Sequence, residues 1–156
     1  LVKIEPTNNI DIYEDFDIAP QYKGGENALQ KYLKHNLYYP KHSYLNSIEG
    51  VVLCEFIVKK DGYIQNIKII NGINSELDSE AIRIIKNMPK WTSATKKGEK
   101  VNAKIQLPIK FELTNEDKEQ ITIANNNLKK EQENTCNTQI AEHKLKNINI
   151  FLTKSQ

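Results

Sequence analysis

Residue types that build catalytic and metal sites are scarce in this chain of 156 residues. It has two cysteines and three histidines, and Cys54 and Cys136 form no Cys-x-x-Cys pair. His35, His42 and His143 fall at a predicted helix end, in a loop and in the tail, so we predict no metal site. Motifs of phosphate-binding loops, dinucleotide-binding turns, zinc proteases and serine hydrolases are absent. The sequence therefore predicts no catalytic residues, no cofactor and no enzyme.

Long apolar runs and charge of one sign are also missing. No stretch approaches the roughly 18–20 uncharged apolar residues that a membrane-spanning helix requires. The 22 Lys and Arg residues nearly balance the 20 Asp and Glu residues, which gives no electrostatic case for nucleic-acid binding. Because the chain begins at Leu1 and not at Met, we expect a signal peptide or an anchoring helix upstream.

The distribution of charge predicts three segments. The first twenty residues carry five carboxylates and one Lys, and we predict an acidic lead or linker over residues 1–19. Strong hydrophobic periodicity is confined to residues 20–113, which we predict to form the folded domain. Residues 114–156 hold six basic and six acidic side chains and many Asn, and we predict a polar extension that is partly helical or disordered.

Within residues 20–113 the pattern predicts helix, strand, strand, helix, strand. A helix follows Gly24-Gly25 and ends near Asn36, and residues 51–58 and 63–70 form a hairpin around Asp61-Gly62. A second helix carries the stripe of residues 77–88, with Ser75 at its predicted cap. Two further side chains are assigned to the core and not to a functional site. Cys54 is predicted to be a buried, unreactive thiol, and Trp91 fits a core plug better than a ligand platform.

The last strand has the clearest pattern, because apolar and polar residues alternate from Val101 to Leu113. Pro108 lies in its middle and has no N–H to donate, so the strand should lie at a sheet edge. An open edge presents unpaired backbone groups to an extended partner. The other interpretation, given equal weight, is an edge merely blunted by Pro108 and by Lys104 and Lys110.

This order of elements predicts an α+β, two-layer domain. A right-handed crossover between the second and third strands places the first strand between them. We therefore predict a three-stranded antiparallel sheet of order 2-1-3, with two helices on one face and strand 101–113 at an edge.

The same residues resemble the C-terminal domain of TonB, the periplasmic energy transducer, in the form common among Bacteroidota. The resemblance runs in order from about residue 20 to residue 113. Its pieces include Pro20-Gln21-Tyr22-Lys23-Gly24-Gly25, Tyr39-Pro40, Gly50-Val51-Val52, Asp61-Gly62, Met88-Pro89-Lys90-Trp91 and Leu107-Pro108-Ile109. Each piece is weak alone, and their order and spacing together are specific.

The resemblance implies a function and a site. Such domains bind the TonB box of outer-membrane transporters as an added strand, and an N-terminal helix anchors the protein to the inner membrane beside the ExbB and ExbD motor. The expected location is therefore periplasmic. The edge strand implied for partner binding is Lys104, Ile105, Gln106, Leu107, Pro108, Ile109 and Lys110. Residues expected to hold the fold are Gly24, Gly25, Tyr39, Pro40, Asp61, Gly62 and Trp91.

The chain departs from this family at both ends, and alternatives stay open. It lacks the anchor helix and Pro-rich spacer, and it adds a tail in which Ile121, Ala124 and Leu128 suggest a helix and residues 148–152 alternate as in a strand. That tail is expected to cover the edge, to pair with a second copy or to stay disordered. The alternative functions are a sensing module attached to a membrane metallopeptidase and a module that forms a homodimer through strand 101–113.

Overall fold

The computed structural model describes the backbone of residues 11–153 and the side chains of residues 11–134. The chain divides into two compact units, Leu1–Ser43 with Ile48–Glu112 and Tyr44–Ser47 with Leu113–Gln156. No helix within the described residues is long and apolar enough to cross a membrane. The elements in chain order are β1 (Ile12–Tyr13), α1 (Glu26–Asn36), α2 (Lys41–Leu45), β2 (Gly50–Val58), β3 (Ile64–Asn71), α3 (Ser75–Lys86), β4 (Ala94–Lys96), β5 (Glu99–Phe111) and α4 (Asn115–Thr153).

The hairpin predicted around Asp61-Gly62 is present, and β2 and β3 are its two strands. The Asp61 carboxylate accepts a hydrogen bond from the backbone N–H of Tyr63 at 3.1 Å, which closes the turn. Gly62 has φ +85°, a left-handed conformation that favours glycine. The Asp-Gly pair therefore forms the turn because the Asp side chain accepts a backbone hydrogen bond and the Gly adopts a positive φ.

The sheet is mixed and larger than predicted. Its hydrogen-bonded order is β1-β5-β2-β3, with β4 also paired to β5. The predicted 2-1-3 order corresponds to β3-β2-β5, and those three strands are antiparallel as expected. The prediction of a three-stranded, purely antiparallel sheet was wrong, because β1 pairs parallel to β5 and β4 adds a further antiparallel strand.

Both extra strands are too short to give a periodic signal. β1 has two residues, and its register joins Ile12 to Asn102. β4 has three residues and forms a tight hairpin with β5 through Lys97 and Gly98, whose φ values are 51° and 78°. Two left-handed residues in a two-residue connection are typical of the primed hairpin turns.

The main core lies between one face of the sheet and the two longer helices of the first unit. The buried residues of this cluster are Tyr22, Leu29, Leu33, Val52, Cys54, Phe56, Val58, Leu77, Ala81, Ile84, Ile85, Trp91, Ile109 and Phe111. The Tyr32 hydroxyl of α1 donates to the carbonyl of Ile84 in α3 at 2.9 Å, which ties the helices together. The predicted placement of α1 and α3 on one face agrees with this cluster.

A second, smaller cluster forms at the start of β5. Ala94, Val101 and Ala103 are buried there, and Tyr13 and Phe16 of the acidic lead pack against them. The long alternation in β5 therefore serves two cores and not one. Asn102, which the alternation places in water, is only 6% exposed. Its amide donates to the carbonyl of Asp11 at 3.2 Å, and its oxygen accepts from the N–H of Lys60 at 2.8 Å.

The cap of α3 differs from the sequence interpretation. Asn74, and not Ser75, is the N-cap, and its side-chain oxygen accepts from the N–H of Leu77 at 2.8 Å. Asp78 instead accepts from the N–H of Ile73 at 2.9 Å and closes the preceding turn. Asn is among the preferred N-cap residues, so the structure obeys the rule at a neighbouring position.

In the second unit, α4 starts with a reciprocal cap. Thr114 accepts from the N–H of Asp117 at 3.1 Å, and the Asp117 carboxylate accepts from the N–H of Thr114 at 2.8 Å. The helix predicted from Ile121, Ala124 and Leu128 is confirmed. The strand suggested by residues 148–152 was wrong, because the backbone is helical to Thr153. Local alternation over five residues does not outweigh the helix that precedes it.

We predict that Gly62→Ala destabilises the protein more than Gly98→Ala. Both glycines have φ near +80°, so each alanine costs about 1–2 kcal/mol of backbone strain. A Cβ at Gly62 would also lie 2.2 Å from the carbonyl oxygen of Trp91, whereas a Cβ at Gly98 meets nothing within 4 Å. The extra contact should add about 1–3 kcal/mol to the loss in free energy of unfolding, measured in urea. Equal losses in the two variants would contradict the close approach.

Candidate partner-binding edge

One side of β5 is open along most of its length. β2 pairs with the other side without a break from Gly50↔Phe111 to Val58↔Ala103. On the open side, β1 pairs only with Asn102 and Ala103. From Lys104 to Phe111, no strand among the described residues pairs with that side. The edge predicted from Pro108 is therefore present, but its first part is covered.

The opposite edge of the sheet is β3, and its geometry is less suited to pairing. Its register with β2 shifts twice, between Leu53 and Cys54 and between Glu55 and Ile57. Asn66 has φ 54°, a left-handed conformation inside the strand. Bulges of this kind increase local twist and are a common protection of sheet edges. Of the two edges, β5 offers the regular one.

The acidic lead is held at the start of β5 by ion pairs with lysines. Glu14 lies 2.5 Å from Lys104, and Asp15 lies 3.0 Å from Lys96. The Asp17 carboxylate accepts from the N–H of Lys97 at 2.6 Å. The hydrogen bond from Lys104 to Glu14 raises the pKa of Lys104, and the hydrogen bond from Lys96 lowers the pKa of Asp15. Charge complementarity thus joins the lead to the β4–β5 hairpin.

The predicted edge residues alternate between two environments. Ile105 and Leu107 are half-buried against the main core, and Ile109 is fully buried. Gln106 donates to the carboxylate of Glu55 on β2 at 3.2 Å. The remaining side chains of the edge are those of Lys104, paired with Glu14, exposed Pro108 and Lys110, paired with Glu112. The polar side chains therefore lie on the face away from the helices, and the strand's backbone lies between the two sets.

A groove of about 570 Å³ adjoins the C-terminal half of this edge. One wall is formed by α1 and the segment that follows it. The other wall is formed by β2, by β5 and by the residue that follows β5. Its lining residues are Gln30, Leu33, Lys34, Leu37, Tyr39, Val51, Pro108, Ile109, Lys110 and Glu112. Lys34 and Lys110 contribute two cationic side chains to this lining, and Glu112, which pairs with Lys110, contributes one carboxylate.

A second cavity of about 310 Å³ adjoins the middle of the edge. Its lining residues are Pro20, Gln21, Tyr22, Gly25, Glu26, Leu29, Trp91, Ile105, Gln106 and Leu107. Trp91 is 7% exposed and meets Tyr22 and Phe56 edge-on, with ring centroids 5.8 and 5.5 Å apart. It is therefore a core plug, as expected, and it also forms part of a cavity wall.

The other motif residues lie around these cavities and turns. A Cβ at Gly24, which has φ +93°, would lie 2.9 Å from the Cβ of Ala28 at the start of α1. The Tyr39 hydroxyl donates to the carbonyl of Ile48, and its ring meets Phe111 edge-on at 5.6 Å. Pro40 directly precedes α2, which begins at Lys41. The roles of these residues in holding the fold remain predictions.

Sequence reasoning missed a buried carboxylate that positions the end of α1. Glu80 is 6% exposed and accepts from the backbone N–H of Tyr38 at 2.7 Å. Arg83 donates to both Glu80 oxygens, at 2.7 and 2.5 Å, and to the carbonyl of Asn36 at 2.9 Å. Its place near the start of α3 fits the helix dipole, and this simpler explanation hides the contact. The signal available was the single Arg of the chain, three residues after an acid on one helix.

Cys54 and the histidines carry no visible chemistry. Cys54 is a free, fully buried thiol, and burial with the nearby charge of Asp78 raises its pKa to about 11. The side chains of Cys136 and His143 lie outside the described residues. Within the part of the chain whose side chains are described, no group of three or more His, Cys, Asp or Glu residues could hold a metal ion.

We predict that Arg83→Met lowers the free energy of unfolding by about 2–3 kcal/mol. The loss should fall below the 3–5 kcal/mol typical of a broken buried pair, because the Arg83 side chain is 47% exposed. Lys110→Met is the matched control, since Lys110 and Glu112 are both 66% exposed, and its cost should stay below about 1 kcal/mol. Urea unfolding of both variants measures the difference. Similar losses of unfolding free energy in the two variants would show that burial of the Glu80 carboxylate does not depend on its ion pair with Arg83.

Comparison with known proteins identifies the family of this domain. The family model described as Gram-negative bacterial TonB protein C-terminal matches residues 35–113. Two solution structures of the Helicobacter pylori TonB C-terminal domain are 26% and 25% identical to the chain, each with a TM-score of 0.42. Each alignment covers 55% of this chain, and they cover 90% and 78% of those chains. No curated protein matches. Because the family model covers half of its residues, the chain belongs to the TonB C-terminal domain family.

Proposed function

We propose that this chain is the periplasmic domain of a TonB-like energy transducer, which binds the TonB box of an outer-membrane transporter by strand addition. The observation that supports it most directly is the open side of β5 from Lys104 to Phe111, beside an unbroken ladder with β2. Strand addition takes its affinity from backbone hydrogen bonds and therefore tolerates varied side chains. One domain can then serve several transporters.

Pro108 indicates which backbone groups face the partner. The ladder between β2 and β5 continues on both sides of the pair Leu53↔Pro108. A proline nitrogen that faced β2 would remove a hydrogen bond from this ladder, whereas one that faces the open side removes none. Pro108 therefore faces outward, and alternation places the backbone groups of Lys104, Gln106 and Lys110 on the same side. The partner strand pairs with these three residues.

The role is binding and force transmission without catalysis. In this proposal an upstream helix anchors the protein to the inner membrane and couples it to an ExbB/ExbD-type motor. The domain then passes the work of the proton-motive force to the transporter. A bound strand resists a pulling force through several hydrogen bonds at once, which suits such a task better than a single side-chain contact.

We predict that peptides from the periplasmic N-termini of outer-membrane transporters shift the amide NMR signals of β5. The largest shifts should lie at Gln106 and Lys110, because their N–H groups gain a partner, whereas the parallel bridge of Tyr13 to Ala103 already engages the N–H of Lys104. Residues 64–71 of β3 form the second sheet edge and serve as the internal control. A titration of isotope-labelled chain measures both edges in one experiment.

The same titration repeated with residues 114–156 deleted separates two causes of a negative result. Shifts that appear only after the deletion would show that the tail inhibits binding. Shifts at β3 alone would contradict the choice of edge. No shifts with either chain would contradict the transducer proposal.

Backbone N-methylation of a binding peptide tests strand addition without any change to the protein. Alternate N–H groups of an added strand point to β5, so single N-methyl groups should weaken binding at every second position and leave the positions between unchanged. We expect at least a tenfold loss at the sensitive positions, measured as Kd by the same titration. Loss without a period of two would indicate a different binding mode.

Dimerisation through the same edge is the second candidate, because an open edge accepts a copy of its own chain as readily as a transporter segment. Sedimentation at increasing concentration distinguishes them. A concentration-dependent dimer that peptide addition dissociates would place both partners at β5, whereas a monomer at high concentration would remove the homodimer.

A further inference from the structure

Trp91 has a buried donor without an acceptor. It is the single tryptophan of the chain, and its Nε1 is the one buried side-chain nitrogen or oxygen that lacks a hydrogen-bond partner among the described residues. The aromatic rings that it meets, Tyr22 and Phe56, are at most weak acceptors. Buried indole N–H groups usually have a partner. Trp91, which is an exception to this rule, lies beside the open edge of β5.

The cavity next to Trp91 is continuous with that edge. Ile105, Gln106 and Leu107 of β5 form one wall of it, and Trp91 and Leu29 lie among the other lining residues. A strand added to β5 sends alternate side chains toward the face that carries the helices. One of these side chains then lies at the mouth of the cavity.

We propose that this cavity is a side-chain subsite for the added strand, in which the Trp91 N–H donates to a neutral acceptor. The inference rests on the proposed function and adds the chemistry of one partner residue. A hydroxyl of Ser or Thr, or an amide oxygen of Asn or Gln, pairs with the donor. An aliphatic side chain fills the space and leaves the N–H unpaired.

The charge of the cavity rim explains the preference for a neutral group. Glu26 lies on the rim, where it accepts from Gln30 at 2.7 Å, and none of the described lining residues is Lys or Arg. A carboxylate on the partner would meet this negative charge with no cation to offset it. The neighbouring groove, lined by Lys34, Lys110 and Glu112, has a net positive charge.

Access to the donor requires a small opening of the cavity wall, because the Nε1 atom is shielded from solvent. Ile105 and Leu107 are half-buried and lie on a strand whose outer side is unpaired, so they are the side chains best placed to move. The partner's acceptor compensates the donor that is unpaired in the free domain. This gain favours a bound strand with an acceptor over one without.

A double-mutant cycle tests the contact. The protein is wild type or Trp91→Phe, which keeps an aromatic ring and removes the N–H. The probes are a transporter N-terminal peptide and an acetylated, amidated host octapeptide without hydroxyl or amide side chains, Lys-Val-Ala-Val-Ala-Val-Ala-Lys. Thr or Val is placed as the guest at each of its six inner positions in turn. At one position we expect Thr to bind about 5- to 10-fold more tightly than Val to the wild type, and less than twofold more tightly to Trp91→Phe.

The indole N–H signal of the wild-type chain gives a second readout that does not depend on a variant. Because the chain has one Trp, this proton gives a single NMR signal. We expect it to move downfield with the Thr peptide and to stay in place with the Val peptide. Asp as the guest should bind more weakly than Thr, and Glu26→Gln should reduce that difference.

The outcomes separate this inference from the proposed function. Transporter peptides that add to β5 with no Thr preference would overturn the subsite and leave the proposed function standing. A Thr preference with the host octapeptide alone would support the subsite and contradict transporter binding. Binding of neither probe would overturn both. An unchanged Thr preference in Trp91→Phe would overturn the subsite, because a group other than the Trp91 N–H would then recognise the hydroxyl.

Discussion

The antiparallel ladder between β2 and β5 is the constraint on which the rest of the first unit depends. Its nine residue pairs align the buried side chains of Val52, Cys54 and Phe56 with Ile109 and Phe111 on one face. A shift by one residue would turn all of them toward water, so burial specifies the register. Both longer helices must then cover that face, and β3 pairs on the far side of β2. This arrangement leaves the outer side of β5 available for pairing.

That outer side differs along its length. β1 pairs with two residues of β5, and the Glu14–Lys104 ion pair marks the boundary between the covered and open parts. The two edges of the sheet thus differ in how far they are protected from pairing. β3 is bulged and left-handed at Asn66, while β5 stays regular and open beyond Lys104. A regular open edge is costly to keep because it favours aggregation, and its presence beside two cavities is the strongest structural argument for binding.

The sequence predicted what depends on periodicity and turn chemistry. The Asp61-Gly62 hairpin, the two core helices and the edge position of Pro108 follow from local rules that burial reinforces. β1 and β4 could not be predicted, because two or three residues carry no period. The lead that contains β1 is in addition held by ion pairs with Lys96 and Lys104, far along the chain. The contact of Glu80 could not be predicted for a related reason. A carboxylate in the first turns of a helix fits the dipole rule, and only the fold places the N–H of Tyr38 against it.

Under the proposed function, backbone pairing lets one domain accept many partners, but it does not set the direction in which they bind. The open edge accepts a strand in either orientation, since parallel and antiparallel ladders are both stable. The two cavities break that symmetry along β5. Lys34 and Lys110 lie toward its C-terminal end, and Glu26 and the Trp91 donor lie toward its middle. A partner strand with an acidic residue at one end and a neutral acceptor nearer its centre can place both side chains correctly in only one direction. Backbone hydrogen bonds alone allow either direction, and two unlike cavities along one edge therefore set the orientation of the partner.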